Sequence, residues 1–356
     1  MISFCTFFDS HYLFKGLALY NSMFEHCRSF RLFVLCMDTI CYDALLKMDL
    51  PYVSLISLQD FEKDDEALRI AKANRTIVEY YFTCTPSLPL YIFNHFNDIN
   101  SLTYLDSDFF FFSSPEPAMK IIEKYPIAIT SHRFPPVLRK LEKKYGVFNV
   151  GWLTFQRNEQ AISCLQRWRE QCLEWCYDRL EEGRFADQMY LNEWPELYPD
   201  TLVIPHKGVS LAPYNIANDH VIIKDDNNIM IAGDQLICYH FCGLKDFRGF
   251  LYYLSLRRYG MQPTCTILEQ IYEPYLQILA KCKQQANKVL NEAIKNTSLR
   301  ERTQVTQKYQ GALWINKIIS KYDRYMSLVD AILSRNFVLF FDDHIIFKFI
   351  SCGLDK

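Results

Sequence analysis

The stretch Thr103–Phe112, TYLDSDFFFF, places two carboxylates inside an apolar, aromatic run. Runs of this kind are typical of buried strands. A buried carboxylate is costly unless it is paired, protonated or bound to a metal, so packing alone does not account for Asp106 and Asp108. The pattern predicts a core strand that delivers both acids at its C-terminal end, where open α/β sheets bind ligands. A strand edge followed by an acidic turn is the alternative interpretation.

The composition of the 356-residue chain excludes several classes of protein. Half of the residues are hydrophobic and 15% are aromatic, which is enough for a sizeable core in one large domain with an extension or in two domains. The formal net charge of −2 argues against nucleic acid as a partner. With only 11 glycines and neither a GxGxxG nor a GxxxxGK[ST] motif, the chain lacks the main signals of dinucleotide-binding and P-loop proteins.

The cysteines and the N-terminal segment indicate in which cellular compartment the protein is expected. Thirteen cysteines are scattered along the chain, and no basic leader precedes the first apolar segment. We therefore expect reduced thiols in a cytoplasmic protein. No apolar stretch reaches the roughly 18 residues that would indicate a membrane-spanning helix.

Strand-like and helix-like segments alternate along the first 260 residues. The predicted strands are Ile2–Phe8, Arg31–Met37, Tyr52–Ser57, Leu102–Leu105, Ile127–Thr130, Phe148–Phe155, Leu202–Ile204 and Leu236–Phe241. The predicted helices are Phe14–His26, Tyr42–Lys47, Glu66–Phe93 and Ala161–Arg179. Pro86 and Pro89 must bend or break the third of these helices. This alternation predicts an α/β fold with a mostly parallel sheet flanked by helices.

From about residue 264 the pattern becomes helical, which predicts a domain at 1–260 and a helical C-terminal extension at 261–356. The extension carries 13 basic and 9 acidic side chains. This positive balance, with aromatic residues among which are Trp314, Tyr322, Tyr325 and Phe337, suits peripheral contact with an anionic membrane. A helical cap that packs on the first domain or forms a dimer contact is the alternative.

Four further segments accompany the two acids. They are FDSHY at 8–12, FNVGWL at 148–153, FADQMYLN at 185–192 and YHFCGLK at 239–245. In order and content the five segments resemble the nucleotide-sugar glycosyltransferases of the GT-A fold, most closely the family 8 type, which includes bacterial lipopolysaccharide glycosyltransferases and glycogenin. The resemblance covers residues 1–260. It implies a GT-A-like sheet and transfer of a sugar from a nucleotide-diphosphate donor to a glycan or lipid-linked acceptor.

The resemblance also implies a metal site. In that family the two aspartates of the motif and a later histidine bind the metal, which points to Asp106, Asp108 and His240 here. Two carboxylates and one neutral imidazole suit Mn²⁺, or Mg²⁺, and leave positions open for diphosphate oxygens. A core histidine is the alternative for His240.

Three polar residues resemble those that hold the donor sugar in the family. They are Asn149, Asp187 and Gln188, and the last two are the implied catalytic pair. Amide and carboxylate groups recognise hydroxyls through several hydrogen bonds. The alternatives are that Asn149 ends a strand and that Asp187 caps the helix it precedes.

Other residues resemble the nucleotide-binding positions. Tyr12 corresponds to an aromatic residue that stacks on the base, Asp9 to a contact with the base or ribose, and Arg75 to an arginine near the donor. Tyr12 as a core residue and Arg75 as a surface residue are the alternatives. The family places a lysine six residues after the histidine, followed by Pro-Trp. Here Lys245 comes five residues after His240 and is followed by Asp246-Phe247. Two interpretations of Lys245 stay open: it reaches the pyrophosphate, or it lies on the surface.

The resemblance further implies that the anomeric configuration is retained. The location expected from the cysteines and the N-terminus is cytoplasmic, and contact of the basic extension with a membrane would put the enzyme at its inner face. Two rival functions stay open. A sugar nucleotidyltransferase would carry a Gly-rich N-terminal loop with a basic residue, and the segment after the first strand offers only Lys15. A catalytically silent nucleotide- or carbohydrate-binding protein is the second rival, against which Asp106, Asp108 and His240 weigh.

Overall fold

A computed structural model describes residues 1–218, 221–223, 228–247, 251–296, 337–341 and 344–348. The chain forms two compact units, Met1–His240 and Phe241–Lys356. The predicted boundary at residue 260 stays a prediction.

The first unit is built on a seven-stranded sheet. The strands along this part of the chain are β1 (Ile2–Phe8), β2 (Phe30–Cys36), β3 (Val53–Ser57), β4 (Ser101–Leu105), β5 (Phe109–Phe111), β6 (Ile127–Ser131), β7 (Phe148–Gln156) and β8 (Thr201–Val203). All except β5 join the sheet, in the order β3-β2-β1-β4-β7-β6-β8. Only β7 runs antiparallel to its neighbours. The predicted mostly parallel sheet is confirmed.

Helices connect these strands. They are α1 (Leu13–His26), α2 (Thr39–Met48), α3 (Leu58–Glu62), α4 (Glu66–Ala73), α5 (Ile77–Cys84), α6 (Ser87–His95), α7 (Glu116–Ile122), α8 (Glu142–Tyr145), α9 (Glu159–Glu174) and α10 (Trp194–Leu197). Short 3₁₀ helices span Pro136–Leu141, Met189–Glu193 and Ile216–Asn218. The helix predicted over Ala161–Arg179 ends earlier, at Glu174.

The region predicted as one broken helix, Glu66–Phe93, forms the three helices α4, α5 and α6. Asp65 caps α4, and Thr76 forms a capping box with Glu79 at the start of α5. Pro86 directly precedes α6, whose first turn contains Pro89. The first turn of a helix tolerates proline because its N–H groups have no intrahelical acceptor.

Alternating strand residues bury both faces of the sheet. On one face Phe33, Leu35 and Tyr104 belong to a core cluster that includes residues of α4, α5, α6 and α9, among them Trp168. On the other face α1 packs against β1. A Cβ atom added to Gly16 would come within 2.3 Å of the Phe8 ring, so α1 approaches β1 this closely only because residue 16 is glycine.

The apolar run at 103–112 divides between two sheets. β4 ends at Leu105, so the acids follow a core strand as predicted, but the phenylalanines form a separate strand, β5. The remaining strands of this unit are β9 (Val221–Ile223), β10 (Ile229–Ile231), β11 (Asp234–Gln235) and β12 (Cys238–His240). β9, β10 and β11 form a small antiparallel sheet, and β12 pairs antiparallel with β5.

The second unit combines helix and strand. Its described elements are β13 (Lys245–Phe247), β14 (Leu251–Tyr253), a 3₁₀ turn (Arg257–Tyr259), α11 (Cys265–Ile267), a π-helical turn (Leu268–Tyr272), α12 (Glu273–Asn296), β15 (Phe337–Phe341) and β16 (His344–Lys348). The four strands form an antiparallel sheet. The predicted helical extension therefore contains the long helix α12 together with two strands. Trp314, Tyr322 and Tyr325 lie outside the described residues, and Phe337 begins β15.

The described cysteines differ in state. Eleven are free thiols, ten of them buried, whereas Cys265 is disulfide-bonded. The expectation of reduced thiols is therefore wrong at Cys265. Among the described residues, no helix combines the length and the apolarity needed to span a bilayer.

Candidate active site

Asp106, Asp108 and His240 converge at the carboxyl end of β4. The two aspartates lie in the turn between β4 and β5, and His240 ends β12, where it pairs with Phe109. The His240 Nε2 atom is 3.1 Å from Asp108 Oδ1 and 3.5 Å from Asp106 Oδ2. One ligand atom from each residue lies within 4.8 Å of the others. The structure thus brings together all three predicted metal ligands.

Neighbouring side chains hold these groups in place. The Tyr104 hydroxyl donates a hydrogen bond to Asp106 Oδ1 at 2.8 Å. The Phe109 ring stacks on the imidazole of His240, with ring centroids 4.4 Å apart. Gly151 leaves room beside it, because a Cβ atom there would lie 3.0 Å from His240 Cε1.

Lys15, on the first turn of α1, brings a positive charge to the same centre. Its Nζ atom lies 3.5 Å from Asp108 Oδ2. Although burial raises the pKa of Asp108, the charges of Lys15 and His240 hold that pKa well below its usual range. Burial raises the pKa of Asp106, and the nearby Asp108 carboxylate adds to the rise.

The donor set fits a divalent cation. Two carboxylates and an imidazole provide the oxygen and nitrogen ligands that Mn²⁺ accepts. The Nε2 atom of His240 faces both carboxylates, whereas its Nδ1 atom is buried and has no hydrogen-bond partner among the described residues. Burial lowers the pKa of His240, but the carboxylates of Asp108 and Asp106 outweigh it and raise that pKa.

Asn149 and Gln188 form an amide network beside this centre. Asn149 Nδ2 donates to Gln188 Oε1 at 3.1 Å and lies 3.4 Å from His132 Nε2. The Gly151 N–H donates to Asn149 Oδ1 at 2.9 Å, and Gln188 Nε2 donates to the Tyr145 carbonyl at 2.6 Å. Asn149 lies inside β7 and does not end it, so that alternative interpretation is wrong.

His132 is a member of this network that the sequence did not reveal. Its Nδ1 atom lies 3.0 Å from the carbonyl oxygen of Gly146, and burial lowers its pKa to about 4. The ring is therefore neutral near pH 7, with Nδ1 donating to Gly146 and Nε2 free to accept from Asn149. No motif marks this residue; it only follows β6 by one position.

Asp187 is a buried carboxyl group, 4% exposed. Burial is the main cause that raises its pKa to about 7; a hydrogen bond with Thr85 opposes the rise and the charge of Asp106 adds to it. The preceding residue, Ala186, has a φ of 47°, a conformation that costs a non-glycine residue energy and that is found at functional sites. Asp187 does not cap the following 3₁₀ helix, whose N-cap is Gln188 without a side-chain cap.

Asp9 and Tyr12 follow β1 directly. Asp9 Oδ1 accepts hydrogen bonds from the backbone N–H groups of His11 and Tyr12 at 3.0 and 3.1 Å, and Oδ2 accepts one from the Tyr81 hydroxyl at 3.0 Å. The Tyr12 side chain is not part of the core, since the residue is 48% exposed. Its ring centroid lies 4.5 Å from Lys15 Nζ.

Arg75 and Lys245 are the remaining predicted site residues. Arg75 donates to the carbonyl oxygens of Cys172 and Leu173 at 3.1 and 2.9 Å and to the Tyr177 hydroxyl at 3.0 Å, so it secures the end of α9. Lys245 begins β13 in the second unit, where it pairs with Tyr253. The roles of both in donor binding stay predictions.

Sequence comparisons place the chain in a family. No protein-family model matches it. It is 31% identical to "Uncharacterized protein YfnD" of Bacillus subtilis (strain 168) over 283 residues, which cover 77% of this chain and 87% of YfnD. It is 28% identical to "Uncharacterized protein YfnF" of the same organism over 250 residues, 68% of this chain and 82% of YfnF. The fold and site define an α/β protein with a carboxylate–imidazole centre, and the chain belongs to the family of YfnD.

Solved glycosyltransferase structures resemble the chain at low sequence identity. The galactosyltransferase LgtC, in complex with donor and acceptor sugar analogs, is 14% identical, with coverage of 87% of this chain and 99% of that one and a TM-score of 0.47.

Proposed function

We propose that this chain is a metal-dependent glycosyltransferase that moves a sugar from a nucleotide-diphosphate donor to a glycan or lipid-linked acceptor. The observation that carries the proposal is the convergence of Asp106, Asp108 and His240 at the carboxyl end of β4, the usual ligand-binding end of such a sheet. The cytoplasmic location, at the inner membrane face for a lipid-linked acceptor, stays a prediction. Membrane contact by the C-terminal extension stays a prediction.

The three ligands would hold Mn²⁺ or Mg²⁺. When bound, the ion neutralises negative charge on the departing nucleoside diphosphate. The chain supports its ligands from two directions: Tyr104 orients the Asp106 carboxylate, and the stacked ring of Phe109 orients His240. Supporting contacts of this kind tune the affinity of metal sites.

Asp9 and Tyr12 suit the nucleoside. The exposed ring of Tyr12 offers a face on which a base can stack. Burial raises the pKa of Asp9, but hydrogen bonds and charge from His11, with hydrogen bonds from Tyr81 and Tyr12, outweigh it and lower that pKa. Asp9 therefore stays ionised and accepts hydrogen bonds from the base or ribose.

Asn149, Gln188 and Asp187 suit the sugar. Asn149 commits both of its N–H donors inside the network, which leaves one lone pair on Oδ1. Gln188 likewise retains one N–H donor. These fixed groups can recognise sugar hydroxyls without reorganising. An ionised Asp187 would stabilise positive charge at the anomeric carbon, as preorganised polar groups do.

Slow hydrolysis of nucleotide sugars tests this function, since it needs no acceptor. We expect one or a few members of a donor panel to release nucleoside diphosphate when Mn²⁺ is present. Asp106→Asn and Asp108→Asn should each lose most of this activity while they stay folded, and the exposed Asp43→Asn on α2 is the matched control. Full activity in excess EDTA would contradict the metal role.

The same assay separates the rivals. Release of pyrophosphate from a nucleoside triphosphate and a sugar phosphate would indicate a nucleotidyltransferase. Binding of donor without turnover by any acceptor or by water would indicate a silent binding protein.

A further inference from the structure

Lys15 is a buried lysine in an otherwise uncharged stretch. It is the only charged residue between positions 13 and 24. Its side chain is only 9% exposed, although lysine is among the residues that are almost never buried without a partner. If the side chain of Lys15 only packed the first turn of α1 against the sheet, an uncharged side chain would serve equally well.

Its surroundings indicate what the charge is for. Lys15 Nζ lies 3.5 Å from Asp108 Oδ2, while Asp108 Oδ1 faces His240. The same ammonium group lies 4.5 Å from the Tyr12 ring centroid. The contacts therefore run from the aromatic ring to the ammonium group, and from the ammonium group to the carboxylate–imidazole centre. A nucleoside diphosphate bound to a metal has the matching order of base, phosphates and cation.

The backbone keeps Lys15 in this place. The next residue is Gly16, at which a Cβ atom would overlap the Phe8 ring at 2.3 Å. This close approach of α1 to β1 holds the first turn of the helix against the end of the strand that leads to Asp9 and Tyr12.

We propose that Lys15 pairs with the diphosphate of the donor, between the base that contacts Tyr12 and the cation held by Asp106, Asp108 and His240. The inference rests on the proposed function. Two carboxylates and one divalent cation sum to zero charge, so the diphosphate would bring uncompensated negative charge to the site. The ammonium group of Lys15 neutralises part of it at close range.

This role has two consequences of opposite sign. Without nucleotide, the ammonium group repels a divalent cation that approaches Asp108, so removal of its charge should tighten cation binding. With nucleotide, the same group attracts the diphosphate, so removal of its charge should weaken nucleotide binding. A lysine that only packs the first turn of α1 would change both affinities in the same direction or neither.

The test measures both affinities by calorimetry in the full chain. The probes are Mn²⁺ alone, and then UDP and GDP at saturating Mn²⁺. We expect Lys15→Met to bind Mn²⁺ about three- to tenfold more tightly and the better nucleotide about tenfold more weakly. Lys15→Arg should keep both affinities near wild type, and Lys120→Met, on the exposed face of α7, is the matched control for a lost lysine charge. Lys15→Gln is measured alongside, so that a folding defect of one variant does not leave the proposal untested.

The outcomes separate the two proposals. Weakening of both affinities, or an unchanged nucleotide affinity in folded Lys15→Met and Lys15→Gln, would overturn the role of Lys15 and leave the proposed function intact. If the wild-type chain binds neither UDP nor GDP nor any other nucleoside diphosphate with Mn²⁺, the proposed function fails, and the role of Lys15 fails with it.

Discussion

The buried carboxyl group of Asp187 should make the stability of this protein fall as the pH rises. Burial raises its pKa from the ordinary value of 3.8 to about 7. Between these values the folded chain holds a proton that the unfolded chain has released. The free energy of unfolding therefore decreases as the pH rises through this window, and the loss is complete above the folded pKa.

The shift sets the size of the effect. One pKa unit corresponds to 1.36 kcal/mol, so a shift of about 3 units costs at most about 4 kcal/mol above pH 7. Asparagine has nearly the same shape but does not titrate. Relative to wild type, Asp187→Asn should therefore gain about 2–3 kcal/mol in unfolding free energy between pH 5 and pH 8, while the reaction itself slows.

Urea denaturation at pH 5 and pH 8 measures this difference. EDTA is included in both buffers, because a cation at Asp106 would change the charge beside Asp187. The exposed Asp43→Asn variant should show the same stability difference from wild type at both pH values. If the stability difference between Asp187→Asn and wild type is also independent of pH, the reasoning is wrong.

Three further outcomes follow from the site. Gly151→Ala would place a Cβ atom 2.7 Å from Asn149 Oδ1 and 3.0 Å from His240 Cε1. We therefore expect a loss of roughly 1–3 kcal/mol in unfolding free energy and much weaker Mn²⁺ binding. A Mn²⁺ affinity equal to that of wild type, measured by calorimetry, would contradict the packing argument. Tyr104→Phe removes the hydroxyl that orients Asp106 and should weaken Mn²⁺ binding about tenfold, with little change in the far-ultraviolet circular dichroism spectrum. Proton NMR of the first-formed product should show a retained anomeric configuration; inversion would overturn the roles given to Asp187 and Gln188.

Much of the fold was predictable because its signals are local. The alternation of apolar strands with helix-like segments predicts the mostly parallel sheet, and Pro86 marks a true helix boundary. The energetic cost of burying Asp106 and Asp108 singled them out at the end of β4 without any knowledge of their neighbours. The resemblance of the segment around His240 to a known family then supplied the third ligand.

The tertiary structure decided what lies around these residues. The register between β5 and β12 places His240 opposite Phe109, and thereby beside the two aspartates, although the paired strands are far apart in sequence. The ion pair of Lys15 with Asp108 and the contact of His132 with Asn149 likewise join separate segments. The high pKa of Asp187 depends on burial, which is a property of the packed chain. A sequence records which groups are present, but charges and hydrogen bonds act over a few ångströms, and only the folded backbone sets those distances.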